Sequence, residues 1–94
     1  MRPRAWLVCY DIAHEKRLRR VARELEQAGD RIQKSLFECG LTPDALEALH
    51  QRIRYQIEPA EDKVLYLPIC EICRRATLWQ GKMAPATAEP FWIV

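Results

Sequence analysis

No stretch of this chain approaches the roughly 20 consecutive apolar residues that cross a membrane, and its N-terminus lacks the apolar core and cleavage site of a secretory signal. Both absences predict a cytosolic protein. A disulfide framework is then not expected, and Cys9, Cys39, Cys70 and Cys73 are read as reduced thiols. Internal repeats and low-complexity segments are missing too, which argues against a repeat array or a biased tail. The formal net charge is only +2, too small to identify a partner by itself.

What is present suits one globular unit. Ninety-four residues, 49% hydrophobic and 30% charged, leave room for a single core, so residues 1–94 are expected to form one domain. A core this small is modest, and pairing with a second copy would stabilise it. The charge is unevenly spread. Between His14 and Lys34 there are seven Lys or Arg against four Asp or Glu.

Residues 5–11, Ala-Trp-Leu-Val-Cys-Tyr-Asp, are an unbroken apolar run ending in a carboxylate. They predict a strand buried on both faces. From Glu15 to Ala28 the period changes to that of a helix, with Leu18, Val21, Ala22 and Leu25 on one stripe and Lys16, Arg19, Arg20 and Arg23 opposite. Gly29 stands where a helix end favours a left-handed residue. Residues 31–41 are too long for one regular strand and predict two short strands or one kinked strand, broken near Ser35 or Gly40. Thr42-Pro43-Asp44 is a helix start, with Thr as N-cap, Pro at the first position and an acid in the first turn. Leu46, Leu49, Ile53 and Ile57 face inward from that helix, and residues 58–62 end it. Residues 64–69 predict a further strand, whose Pro68 belongs at an edge or bulge. Residues 70–90 read as irregular. The apolar tail Phe91-Trp92-Ile93-Val94 is expected to pair with an exposed sheet edge, of this subunit or of a partner. The order β-α-β-β-α-β plus a C-terminal strand is the α+β, ferredoxin-like arrangement, an antiparallel sheet with two helices on one face.

Three groups of residues bear on chemistry. Asp11 ends a strand and can serve as a hard oxygen ligand for a divalent metal, or can cap the helix that follows. Lys16, Arg17, Arg19, Arg20 and Arg23, with Arg31 and Lys34, suit a polyanionic backbone, although Glu15–Arg19 and Arg20–Glu24 pairs would make part of this an ordinary solvated helix face. Cys70-x-x-Cys73 has the spacing of half a zinc site or of a redox pair. No second pair of that type completes a tetrahedral set, so incidental thiols are the favoured reading. Ser35 has no histidine-based triad in sequence and is not read as a nucleophile. Phe37 and Cys9 are read as core, and His14 as a helix-start surface residue.

Taken in order, Leu7-Val8-Cys9-Tyr10-Asp11-Ile12, the basic segment 16–22, Gly29-Asp-Arg-Ile-Gln-Lys-Ser-Leu-Phe-Glu-Cys39, Leu41-Thr-Pro43 and Glu61-Asp62 before Val64-Leu-Tyr-Leu-Pro68 resemble the Cas-two family of CRISPR-associated proteins. The resemblance covers roughly residues 5–70. It implies a ferredoxin-like homodimer in which two copies of Asp11 face each other, and a metal-dependent endonuclease with Mg²⁺ held at that aspartate. It further implies a role in spacer acquisition beside the Cas-one family integrase. Duplex DNA or single-stranded RNA would lie on Lys16, Arg17, Arg19, Arg20, Arg23, Arg31, Lys34 and Ser35. The final strand, Phe91 to Val94, would dock at the dimer interface. Cys70 and Cys73 receive no role from the resemblance.

Overall fold

A computed structural model describes residues 2–76, 78–79 and 92–93. The first strand, β1, runs Arg4–Asp11 and is followed by helix α1, Glu15–Ala28. Strands β2, Gly29–Gln33, and β3, Leu36–Leu41, come next, then helix α2, Pro43–Arg54, and strand β4, Lys63–Ile69. These four strands form one sheet in the order β2-β3-β1-β4, every neighbouring pair antiparallel. This is the α+β, ferredoxin-like topology expected from the element order. Beyond it lie a short helix α3, Glu71–Ala76, and two-residue strands β5, Leu78–Trp79, and β6, Trp92–Ile93, which pair in parallel. Among the described residues no helix is long and apolar enough to cross a membrane.

Each helix begins where its sequence supplies a cap. The His14 side chain accepts from the Lys16 N–H, and the Thr42 hydroxyl accepts from the Ala45 N–H ahead of Pro43. Val21, Ala22 and Leu25 of α1 and Leu49 and Ile53 of α2 bury against Val8, Tyr10, Phe37, Cys39 and Leu41, forming one core on one side of the sheet. Leu18 stays largely outside it. The second helix stops at Arg54, so Ile57 packs on the core from the turn beyond.

Three expectations change, and a fourth, the break near Ser35 within residues 31–41, is met. Gly29 is extended, not left-handed, and opens β2 directly. Glycine is needed there for space, because a β-carbon would collide with the Glu38 carbonyl and with Cys39. The break in residues 31–41 falls at Lys34-Ser35, in the turn between β2 and β3. Cys70 is followed by a helix, not by irregular chain. The largest change concerns β1, which is not buried on both faces. Its residues alternate, with Val8 and Tyr10 beneath the helices, while Ala5, Leu7 and Cys9 are only half-buried on the other side. Cys9 is therefore not core. Pro68 sits in an edge strand, as its missing N–H predicts.

That second face of the sheet carries no helix from the first two. It presents Leu7 and Cys9 of β1, Leu36 of β3 and Leu65 and Leu67 of β4, brought side by side by the registers Cys9↔Leu36, Cys9↔Leu65 and Leu7↔Leu67. Leu65 is 52% and Leu67 43% exposed. Towards the start of β1, Arg74 of α3 reaches Glu38 of β3 at 3.0 Å.

Candidate metal and nucleic-acid site

Asp11 is the last residue of β1 and shares the open face with Cys9 and Leu7, two and four residues back. It is exposed, and no hydrogen bond or ion pair engages its carboxylate among the described residues. Lys63 stands directly opposite on β4. The turn Lys34-Ser35 is tied to the same strand end. The Tyr10 hydroxyl donates to the Lys34 carbonyl at 2.8 Å, and the Tyr10 N–H donates to the Ser35 carbonyl at 3.1 Å. One end of the sheet thus gathers Asp11, Lys34, Ser35 and Lys63.

The helix-capping role left open for Asp11 is filled by other residues. Asp62, whose side chain is fully buried, accepts from the Ala13 N–H at 2.9 Å and from the Glu58 N–H at 2.8 Å. Arg17 closes on the same carboxylate at 2.7 Å and on Glu61 at 3.0 Å. The Arg17 hydrogen bond, helped by the two backbone N–H groups, holds the Asp62 carboxyl well below the usual carboxylate range. Asp62 therefore fixes the loop after β1 and leaves Asp11 available. Sequence reasoning gave Asp62 no site role, because its partners Ala13 and Arg17 lie 49 and 45 residues away. The signal available was an acidic pair immediately before a strand.

The expected basic set divides in the same way. Arg17 is committed to Asp62 and Glu61, Arg19 to Glu15, and Arg31 to Glu26, with its guanidinium 5.0 Å from the Phe37 ring centroid. The Arg20–Glu24 pair does not form, since Glu24 bridges instead to Arg52 and Gln56 across the helix pair. Lys16, Arg20 and Arg23 consequently form an exposed stripe at i, i+4 and i+7 of α1. They have no acidic partner among the described residues, and the same holds for Lys34. Ser35 is exposed beside that lysine.

Among the described residues no cluster of three or more His, Cys, Asp or Glu side chains forms, at Asp11 or elsewhere. Among the described residues Asp11 is the candidate hard-oxygen ligand at this position. The exposed, unengaged carboxylate fits a metal that retains waters and takes its other ligands from phosphate oxygens or from a second carboxylate. His14, one turn away, has its Nδ1 occupied in the cap at 3.2 Å. Of the expected docking tail, Trp92 and Ile93 pair with Leu78 and Trp79 of the same chain, while Phe91 and Val94 lie outside the described residues.

Residues 4–77 match the sequence profile of CRISPR associated protein Cas2. A protein of Synechocystis sp. named CRISPR-associated endoribonuclease Cas2 2 is 42% identical over 88 residues, covering 90% of each chain. A Thermodesulfovibrio yellowstonii protein of the same name is 37% identical over 87 residues, covering 93% of this chain and 96% of that one. Among solved structures, Streptococcus pyogenes Cas2 superposes with a TM-score of 0.68 at 32% identity, over 71% of this chain and 87% of that one. A hypothetical protein from Thermus thermophilus superposes with a TM-score of 0.71 at 34% identity, over 72% and 83%.

Proposed function

The chain belongs to the Cas2 family of CRISPR-associated proteins, and from that premise we propose that it acts in spacer acquisition as a nucleic-acid-binding homodimer that cleaves phosphodiesters with a divalent metal at Asp11. One observation carries this reading. Among the described residues Asp11 stands exposed and unengaged at the end of a sheet face whose Leu65 and Leu67 are exposed. Stacking two such faces removes the exposed halves of Leu65 and Leu67 from water, each worth about 1 kcal/mol, roughly half of a full leucine burial. A twofold axis through that stack turns one sequence position into two carboxylates.

The chain's own residues divide the work. Asp11 would hold Mg²⁺, whose chemistry there is to lower the pKa of a bound water and offset charge on the phosphate. Lys16, Arg20 and Arg23 hold the nucleic-acid backbone through counterion release, without reading bases. Lys34 and Ser35, whose carbonyls accept the two Tyr10 hydrogen bonds, would offer a cation and a hydroxyl at the same end of the sheet as the carboxylate. Asp62 keeps the loop after β1 in place by taking the Ala13 N–H and the Arg17 guanidinium. The relatives' name makes RNA the first substrate to try, with duplex DNA the second.

The test compares wild type with Asp11→Asn on single-stranded RNA and duplex DNA in Mg²⁺. Cleavage is expected to fall at least 100-fold, with thermal stability and solution mass unchanged. Equal activity in the two proteins would sink the catalytic assignment.

A second reading is a non-catalytic scaffold that bridges Cas-one family integrase dimers on spacer DNA. The free stripe of Lys16, Arg20 and Arg23 favours it, since phosphate binding there needs no metal. Spacer integration that survives Asp11→Asn but fails on charge reversal of Arg20 selects this reading.

A further inference from the structure

Cys70 and Cys73 bracket the start of α3 and are used by neither the core nor the Asp11 site. Both are exposed. Their sulfurs lie 3.2 Å apart, and the Cys73 N–H points at the Cys70 sulfur across 3.4 Å. A disulfide needs about 2.05 Å between sulfurs, so closure asks the two exposed sulfurs to approach one another from 3.2 Å. The Cys70 carbonyl accepts the Arg74 N–H at 2.9 Å, which fixes the turn holding both thiols.

We propose that Cys70 and Cys73 are a thiol–disulfide exchange site whose reactant is a low-molecular-weight disulfide of the glutathione class. The Cys70 thiolate attacks one sulfur of the small disulfide, forming a mixed disulfide and releasing one small thiolate. Cys73, deprotonated as it attacks, then bonds to the Cys70 sulfur and expels the second thiolate. The protein loses two electrons and two protons, and the small disulfide is reduced to two thiols. Hydrogen bonds from Cys73, the backbone N–H first and the side chain second, lower the Cys70 pKa, while Cys73 is pushed up chiefly by its bond to Cys70. The Cys73 N–H aimed at the Cys70 sulfur would stabilise a thiolate there, which assigns attack to Cys70 and resolution to Cys73.

The other two thiols are placed differently. Cys39 is buried, and burial pushes its thiol up to about 11, so it stays protonated. Cys9 is half-buried on the open sheet face. Exchange is therefore directed to the outer pair. The site does not depend on the Cas2 reading, since none of its atoms belongs to the Asp11 end of the sheet.

The experiment incubates the reduced full-length protein with glutathione disulfide, traps free thiols by alkylation and maps the products by peptide mass spectrometry. Wild type is expected to form a Cys70–Cys73 disulfide, lighter by about 2 Da, with no retained glutathione. Cys73→Ser is expected to keep one glutathione on Cys70, and Cys70→Ser to react at least tenfold more slowly than Cys73→Ser. Glutathione retained on wild type, equal rates in the two variants, or stoichiometric zinc on the pair after purification without added metal would each overturn the proposal.

Discussion

The two faces of the sheet are built from the same strands and differ in what covers them. Beneath the helices, Val8, Phe37 and Cys39 are fully buried and meet Val21, Leu25 and Leu49. On the other face, Leu7, Cys9, Leu36, Leu65 and Leu67 stand beside the Glu38–Arg74 ion pair, and among the described residues neither α1 nor α2 lies above them. The covered face accounts for the stability of one chain. The open face is apolar beyond what one chain needs, and it also carries the exposed Asp11. If the open faces pair as proposed, the contrast teaches that apolar content in a strand reports the layers of the dimer and not only those of one chain.

If this division is correct, substitutions on the two faces separate folding from function. Phe37→Ala, under the helices, is expected to cost about 4 kcal/mol and to shift chemical denaturation accordingly. Asp62→Ala comes next, at about 3 kcal/mol, because it strands the Arg17 charge and the Ala13 and Glu58 N–H groups. It also tests a pH dependence. The folded pKa of Asp62 is lowered below its ordinary 3.8, so its contribution is present above that pH and is lost as pH falls towards the folded value. Wild type should therefore lose stability in acid more steeply than Asp62→Ala, measured by denaturation midpoints between pH 6 and the acid limit. The smallest effect falls on the helix surface. Arg20→Glu should leave stability within about 0.5 kcal/mol of wild type. Its dependence of log affinity on log salt for duplex DNA should be shallower by roughly 1. Arg19→Ala, already paired with Glu15, should change that slope less.

Local signals were legible in the sequence and long-range ones were not. Helix α1 begins and ends at the residues its periodic stripe predicts, and Thr42-Pro43-Asp44 starts α2, because caps and periodicity act within a few residues. Pro68 marked β4 as an edge for the same reason. The site was legible in part. Asp11 stands at a strand end as expected, but its independence from the helix cap rests on Asp62, brought in from the far side of α2. The free stripe of Lys16, Arg20 and Arg23 emerged only when Glu24 proved to face Arg52 and not Arg20. The half-buried second face of β1 was hidden for a different reason. An apolar run without alternation looks the same whether its second layer comes from its own chain or from another.

The proposed pairing of open faces is tested most directly by solution mass, measured by light scattering at micromolar concentration for wild type and for Leu67→Glu. A charge at Leu67 lies on the exposed face of an edge strand and should leave the single chain folded. Wild type is predicted to weigh about twice the 11.0 kDa of one chain, and Leu67→Glu to fall to a folded monomer. A wild-type mass of one chain, or a variant that remains a dimer, would contradict the account.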